Sequence, residues 1–259
     1  MSLKSRLAAG ETLFTAWSGV PDPLTVELVA GINFDAVTLD MQHGGHHEDS
    51  VLRSIPAITR AGRNALVRIP VGRFDMASRA LDFGAEAVIA PMVNSPADAR
   101  AFAAAMKYPP LGERSWGPTW GFPRSGVRDF QTWLETANTE TLALAMIETR
   151  PALEAVDGIL ATPGIDGVFL GPSDFSIAWS GGAVINALLD DMMEAVAGVA
   201  KKAREMNKAA AIFLVDPKLA GRFAGMGYQL MAMGNEARYM ALGAEGMLAT
   251  ARAALAQPR

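Results

Sequence analysis

Short apolar runs recur along the whole chain and are separated by helical stretches. In chain order, these runs are Leu13–Ser18, Ala36–Met41, Ala65–Pro70, Ala87–Val93, Leu142–Glu148, Gly167–Pro172, Ala209–Val215 and Gln229–Gly234. Most of them are continuously apolar, which is typical of strands that are buried on both faces. The pattern therefore predicts a parallel sheet covered by helices.

The stretches between the runs carry helix start signals. Pro23–Ala30 follows Asp22 and Pro96–Met106 follows Ser95, so in each case a polar N-cap precedes a proline at the first helical position. Further helices are predicted at Phe74–Leu81, Pro151–Leu160, Asp190–Met206 and Pro217–Gly225. Strict alternation of strands and helices predicts a (β/α)8 TIM barrel that occupies residues 1–259 as one domain. A doubly wound open sheet is the alternative.

Two stretches depart from this alternation. The connection between Asn94 and Thr141 contains YPPLGERSWGPTWGFPRSG after its helix. Because loops this long are usually functional, we predict a lid-like insertion around residues 107–128 over the barrel mouth. A surface excursion or an oligomer contact is the alternative. The Ala-rich stretch Asn235–Gln257 is predicted to form a C-terminal helix that exchanges between subunits.

Composition narrows the classes of function. The 259 residues match one barrel of about 250 residues. A net charge of -4 without a basic block argues against nucleic acid. The absence of cysteine excludes disulfides and thiolate ligands. The chain starts without an apolar signal core, and no apolar run reaches about 18 residues. We therefore expect a soluble cytoplasmic protein without a membrane partner.

Several apolar runs end in one ionisable residue. They end at Asp40, Arg68, Glu148 and Asp174, and His43 follows Asp40 in the segment MQHGG. In barrel enzymes the chemistry sits at the carboxyl ends of the strands. These side chains are therefore expected to converge at one mouth, where burial of charge demands a partner or a metal.

Glu148 and Asp174 are the predicted metal ligands. They come from adjacent strands, and two close carboxylates need a cation or a proton between them. Oxygen ligands with water in the remaining positions suit Mg²⁺ or Mn²⁺, with Co²⁺ or Zn²⁺ as further possibilities. Capping of the next helix is the alternative role. A zinc site built from the three histidines of QHGGHH is disfavoured, because contiguous loop histidines rarely ligate one tetrahedral ion.

The remaining polar residues have predicted roles in catalysis and binding. His43, with Asp40 fixing its tautomer, is a candidate base. Arg68 would bind an oxo group and stabilise enolate charge, or alternatively bridge strand ends. The backbone N–H groups of Ser173 and Asp174 would hold a carboxylate.

Four less specific candidates complete the predicted site. Trp17, Trp116 and Phe213 would shape donor and acceptor pockets, with simple packing as the alternative for each. Asp82, just before Gly84, fits the end of a predicted helix, but an acidic residue at this position would reach a neighbouring site.

A Schiff-base mechanism is disfavoured, because none of the lysines ends a predicted strand. The lysines are Lys4, Lys107, Lys201, Lys202, Lys208 and Lys218.

These motifs resemble the HpcH/HpaI aldolase family, which includes 4-hydroxy-2-oxoheptanedioate and 2-dehydro-3-deoxyglucarate aldolases. The matching segments are FDAVTLDMQHG, ALVRIP, ALDFGAEAVIAPMV, YPPLGERSWG, AMIETRPALE and DGVFLGPSDFS. They occur in family order over nearly the whole chain. Gln42 stands where family members often have Glu, and SWGPTWGF is bulkier than the usual small-residue run.

The resemblance implies a hexameric (β/α)8 barrel, a trimer of dimers with exchanged C-terminal helices. It implies a metal at Glu148 and Asp174, Arg68 on the oxo group and a His43–Asp40 pair in proton transfer. It also places Asp82 near a neighbouring subunit's site. The expected function is that of a metal-dependent class II aldolase, which joins the enolate of pyruvate or hydroxypyruvate to an aldehyde or reverses this reaction. An acyl-CoA lyase of the malyl or citramalyl type and a non-catalytic metal-binding oligomer are the alternatives.

Overall fold

Eight parallel strands close into a barrel in which each strand pairs with its sequence neighbours and β1 pairs with β8. The computed structural model describes residues 1–256. The strands are β1 (Leu13–Ser18), β2 (Ala36–Asp40), β3 (Asn64–Arg68), β4 (Ala87–Ala90), β5 (Leu142–Ile147), β6 (Gly167–Leu170), β7 (Ala209–Leu214) and β8 (Leu230–Met233). The predicted (β/α)8 barrel is confirmed, and the open sheet is not what forms.

Helices cover the outside of the barrel. They are α1 (Leu3–Ala8), α2 (Pro23–Gly31), α3 (Glu48–Arg60), α4 (Asp75–Phe83), α5 (Pro96–Met106), α6 (Gly121–Ser125), α7 (Phe130–Glu140), α8 (Arg150–Glu154), α9 (Val156–Ala161), α10 (Pro172–Trp179), α11 (Met193–Glu205), α12 (Ala220–Met226) and α13 (Glu236–Ala256). The predicted caps are present, since Asp22 accepts from the Thr25 N–H at 2.8 Å and Ser95 from the Asp98 N–H at 3.1 Å. The predicted C-terminal helix is α13, and Gln257 lies outside the described residues.

Two apolar clusters form the core. One lies between the strands and the surrounding helices, and the other fills the barrel interior with side chains such as Leu66, Leu144 and Phe169. The continuous apolar runs reflect this burial on both faces. Leu3 and Leu7 of α1 belong to the interior cluster, so α1 covers the amino-terminal end of the barrel. A cavity of about 410 Å³ at that end is therefore separate from the mouth at the carboxyl ends of the strands.

The long connection before β5 lies at this amino-terminal end. It follows α5, which returns the chain from the mouth, and it contains α6 and α7. Its Trp120 N–H donates to the Asp82 carbonyl at 3.1 Å, and the side chain of Arg124 donates to the Phe83 carbonyl at the end of α4. Within one chain, the segment around residues 107–128 is therefore not a lid over its own mouth, because it packs at the opposite end.

Candidate active site

Asp40 and Arg68 are paired across neighbouring strands at the mouth. They are register partners at the carboxyl ends of β2 and β3. The Nε of Arg68 donates to Oδ1 of Asp40 at 2.8 Å, and its Nη2 donates to Oδ2 at 2.7 Å. Burial raises the pKa of Asp40, but the hydrogen bonds and positive charge of Arg68 outweigh it, so the pKa is lowered overall. The two groups thus form a buried, charged pair with fixed geometry.

Trp17 forms an aromatic wall beside this pair. Its indole Nε1 donates to Oδ2 of Asp40 at 3.2 Å, and the guanidinium of Arg68 lies 4.8 Å from the ring centroid. The rings of Phe169 and Phe213 lie 5.8 Å and 5.4 Å from the Trp17 ring. Two of the predicted pocket residues, Trp17 and Phe213, are therefore brought together near Arg68.

The loop after β2 wraps around the carboxylate of Asp40. That carboxylate accepts hydrogen bonds from the backbone N–H groups of Gln42 at 3.0 Å, His43 at 3.4 Å and Gly44 at 3.0 Å. Asp40 thus contacts His43 only by accepting a hydrogen bond from its backbone N–H. The ring of His43 is exposed and has no hydrogen bond to the described residues. The sequence-based expectation that Asp40 holds the ring tautomer is not what this geometry shows. The Oε1 of Gln42, the position that departs from the family pattern, is buried without a hydrogen-bond donor in residues 1–256.

Glu148 is a buried carboxylate directly after β5. Its Oε1 accepts from the Met92 N–H at 2.8 Å, and Met92 adopts a positive φ of 54°. Its Oε2 lies so close to Gly171 that a Cβ there would be 2.5 Å away, so a side chain at this position would displace the carboxylate. Burial raises the pKa of Glu148 to about 7, and the negative charge of Asp174 adds to the shift. The positive charge of Arg68 lowers the pKa of Glu148, so Glu148, Asp174 and Arg68 are close enough to interact electrostatically.

A divalent cation fits this pair of carboxylates. Asp174 is the third residue of α10 and is half-buried, and Oε2 of Glu148 accepts no hydrogen bond from the described part of the chain. A cation would offset the burial of the Glu148 charge and its repulsion by Asp174, which together raise the pKa of Glu148. Residues 1–256 contain no cluster of three or more Asp, Glu, His or Cys. The protein ligands would be two carboxylates, which leaves positions for water and substrate oxygens, as Mg²⁺ and Mn²⁺ prefer.

The three histidines do not come together. His43 is exposed, and His47 caps α3 by accepting from the Ser50 N–H. His46 is buried, and its ring nitrogens lie 2.9 Å from the Ser18 hydroxyl and 3.1 Å from the Ser50 hydroxyl. The three-histidine zinc alternative is therefore not formed by this chain.

Asp82 and Trp116 lie at the opposite end of the barrel from Glu148. Asp82 accepts from Nη2 of Arg114 at 2.7 Å, and burial raises its pKa. The Trp116 ring lies 5.6 Å from Tyr108 within the insertion. Neither residue shares the mouth of its own chain, because the end of α4 and the insertion lie where the strands begin. A role at a site would require the mouth of another subunit.

Ser173 lies beside Asp174 at the mouth, whereas Lys107 and Lys208 lie at the opposite end of the barrel. Ser173 is exposed in the first turn of α10, next to Asp174. The ammonium group of Lys208 donates to backbone carbonyls, including that of Ile165 at 2.7 Å, before β6 begins. Lys107 is fully buried and donates to Asp166 at 2.7 Å at the same end. Both lysines are thus remote from the mouth, which supports the argument against an imine mechanism.

Sequence reasoning missed a buried polar group beside the mouth, made of Ser18, His46 and Glu236. Glu236 follows the eighth apolar run by two residues. Asp174 follows the sixth run at the same distance, so the same rule would have found Glu236. Ser18 and His46 carry no such signal, since their partners come from distant parts of the chain.

A closed barrel with one buried carboxylate, one half-buried carboxylate and an oriented arginine at its carboxyl end defines an enzyme site of the (β/α)8 class. The family model described as HpcH/HpaI aldolase/citrate lyase matches residues 13–241. The chain belongs to this family.

Known relatives are named as aldolases, which are carbon–carbon lyases. The chain is 32% identical over 248 residues to the hydroxypyruvate/pyruvate aldolase of Roseovarius nubinhibens, covering 96% of this chain and 95% of that protein. It is 30% identical over 248 residues to the 4-hydroxy-2-oxo-heptane-1,7-dioate aldolase of Klebsiella pneumoniae, covering 96% and 92%. The crystal structure of an HpcH/HpaI aldolase from Desulfitobacterium hafniense superposes with a TM-score of 0.88 at 26% identity, covering 100% and 98%. Among residues 1–256, no helix is long and apolar enough to cross a membrane.

Proposed function

We propose that the protein is a metal-dependent class II aldolase that uses pyruvate or hydroxypyruvate as donor and an aldehyde as acceptor. The observation that carries the proposal is the buried carboxylate of Glu148 at the mouth of the barrel. Its pKa responds to the charges of both Asp174 and Arg68, so the three groups lie close together. Divalent-metal dependence is general in the family. The names of the relatives point to the same donor class.

Glu148 and Asp174 would hold the cation, for which their oxygen ligands favour Mg²⁺ or Mn²⁺, with Co²⁺ and Zn²⁺ as further candidates. When bound, such an ion supplies Lewis-acid polarisation of a chelating 2-oxo acid. Arg68 has no hydrogen-bond partner for Nη1 among the described residues, and Asp40 fixes its orientation. This leaves a donor for the oxo group, where it would stabilise the charge of the enolate.

The other residues of the mouth would bind the substrate and move protons. The exposed ring of His43 would exchange protons with the donor carbon or the aldehyde oxygen. The N–H groups of Ser173 and Asp174, at the start of α10, would hold the donor carboxylate. Trp17 and Phe213 would form the wall of the pocket.

We further propose a homo-hexamer, a trimer of dimers that works in the cytoplasm. Helix α13 exposes large apolar side chains, including Met240, Met247, Leu248 and Leu255. They recur at i, i+7, i+8 and i+15 and thus form one face. Exchange of this helix between subunits would bury that face. The same assembly would bring Asp82 and Trp116 to a neighbouring mouth, where they would contact the acceptor.

An aldol cleavage assay tests this proposal. The Glu148→Ala and Asp174→Ala variants and the wild type would be assayed with pyruvate-derived aldols, with Mg²⁺ or Mn²⁺ and after EDTA treatment. Cleavage should require metal and both carboxylates, whereas Glu154→Gln, an exposed carboxylate change on α8, should match the wild type. Full activity without metal would reject the cation site. Cleavage of acyl-CoA thioesters instead of aldols would reject the donor class.

A further inference from the structure

Ser18, His46 and Glu236 form a buried polar cluster that the proposed function does not use. Their exposed fractions are 0%, 4% and 4%. Ser18 ends β1, His46 lies in the loop after β2, and Glu236 is the first residue of α13. Buried polar groups that are this distant in the sequence require a common reason, since burial without hydrogen bonds is unfavourable.

The carboxylate of Glu236 is the centre of the cluster. Its Oε1 accepts from the Ser18 hydroxyl at 2.5 Å and from the Val20 N–H at 3.4 Å, and its Oε2 accepts from the Gly19 N–H at 3.0 Å. Tyr239, in the same turn of α13, accepts from the Trp17 N–H at 3.2 Å. The first turn of α13 is therefore hydrogen-bonded to four consecutive residues, 17–20, at the end of β1.

Proton counting places a proton on Nε2 of His46. The Ser18 hydroxyl has one proton, which it donates to the carboxylate of Glu236. Its second contact, with Nε2 of His46 at 2.9 Å, must then be one in which Ser18 accepts. His46 is thus protonated on Nε2, and it bonds the loop after β2 to the end of β1.

Gly19 connects this cluster to the loop that carries His43. Its N–H is held by Glu236, and its carbonyl accepts from the Gly45 N–H at 2.8 Å. A Cβ on Gly44 would lie 2.9 Å from the Gly19 Cα, so the two strand-end segments are in direct contact. Gly44 in turn donates to Asp40 at 3.0 Å. A continuous chain of contacts therefore runs from Glu236 to the carboxylate that orients Arg68.

We propose that Glu236 is a positioning residue for the reaction, which acts with Ser18 and His46 to hold the loop of residues 41–46 and thereby the ring of His43. The inference rests on the proposed function, because it assigns His43 to proton transfer. It makes the first turn of α13 part of the support of the active site. Assembly through the exposed remainder of that helix would then act directly on the site.

Substitution of Glu236 by glutamine tests the inference with little change of shape. Glu236→Gln replaces one carboxylate oxygen by an amide NH2, which must face the N–H of either Gly19 or Val20 and therefore breaks at least one contact. We expect kcat to fall by about tenfold or more, since misplacement by about 1 Å is enough for such losses. The KM for the 2-oxo acid and the affinity for Mn²⁺ should stay near wild type, because Glu148, Asp174 and Arg68 are untouched. Adding Ser18→Ala should cause little further loss, because both changes break one chain of contacts.

Amide hydrogen exchange provides a readout that does not depend on catalysis. The amides of residues 42–45 should exchange faster in Glu236→Gln, whereas Glu245→Gln, an exposed change on the same helix, should match the wild type in exchange and kcat. Unchanged exchange at residues 42–45 would overturn the inference, even if the wild type showed no aldolase activity. A wild-type kcat for Glu236→Gln with only a lower melting temperature would also overturn it.

Discussion

Arg68 and Asp40 meet through two parallel hydrogen bonds, of 2.8 Å and 2.7 Å, between adjacent strand ends. The exposed fractions of their side chains are only 11% and 4%. A guanidinium held in this way loses little further freedom when it binds a substrate oxygen, so it is organised before the reaction begins. The same carboxylate also accepts hydrogen bonds from Trp17 and from the loop of residues 41–46. Asp40 therefore fixes the positions of several groups at the mouth.

Asp40→Asn is expected to destabilise the protein by about 3 kcal/mol, because it leaves the buried guanidinium of Arg68 without its counter-charge. Asp49→Asn is the matched control, since Asp49 pairs with Arg53 on the surface and its loss should amount to less than about 1 kcal/mol. Urea denaturation of both variants measures the difference. Equal losses of unfolding free energy in the two variants would show that the buried pair contributes no more to stability than the surface pair.

Arg68→Ala is expected to remove about 2–4 kcal/mol of transition-state stabilisation, as the loss of one oxyanion donor does. Arg68→Lys should recover little of this, because a point charge cannot contact Asp40 at two points and the substrate as well. The value of kcat/KM measures the effect, with Arg79→Ala as the control for an exposed arginine that pairs with Glu48. An unchanged kcat/KM in Arg68→Ala would remove Arg68 from the mechanism.

His46 makes stability depend on pH in acid. Burial lowers its pKa from 6.5 to about 4, while the charges of Glu236 and Asp40 oppose this shift and His47 adds to it. Between these pH values the unfolded chain binds a proton that the folded protein excludes. The stability from neutral His46 is therefore fully present above pH 6.5 and is lost as the pH falls through about 4.

The measurement is the unfolding free energy of the wild type minus that of His46→Gln. We expect this difference to shrink by about 3 kcal/mol across that range, at about 1.4 kcal/mol per pKa unit. A difference that stays constant with pH would contradict the assignment of a neutral, buried His46.

The exposed face of α13 predicts an oligomer that depends on this helix. Met247→Glu places a charge on an apolar face whose Met247 side chain is 76% exposed in the single chain. Light scattering after size-exclusion chromatography should show a smaller mass than for the wild type, because burying that charge would be unfavourable. Glu245→Gln should keep the wild-type mass. If Met247→Glu also kept it, α13 would not be the assembly element.

Much of the fold can be predicted because both faces of every strand are buried, which leaves continuous apolar runs in the sequence. The long connection before β5 was harder, because α7 has a single buried residue, Ala137, and therefore a weak helical pattern. Its position follows from chain direction: a segment after α5 returns to the amino-terminal end. The lid prediction neglected this direction.

The strand-end rule found Asp40, Arg68, Glu148 and Asp174, since each charge directly closes or follows an apolar run. It could not show how Asp40 is used, because hydrogen bonds to loop N–H groups depend on backbone geometry that a spacing does not encode. The buried state of His46 was hidden for a similar reason. Its partners, Ser18 and Ser50, are brought together only by the tertiary fold.

Deuterium incorporation into the methyl group of pyruvate, followed by NMR, tests the central claim most directly because it needs no knowledge of the aldehyde. Wild-type protein with Mg²⁺ or Mn²⁺ should exchange the methyl protons. Exchange should cease after EDTA treatment and in Glu148→Gln, and it should persist in the surface control Glu154→Gln. Exchange that continues in the metal-free protein or in Glu148→Gln would contradict the account.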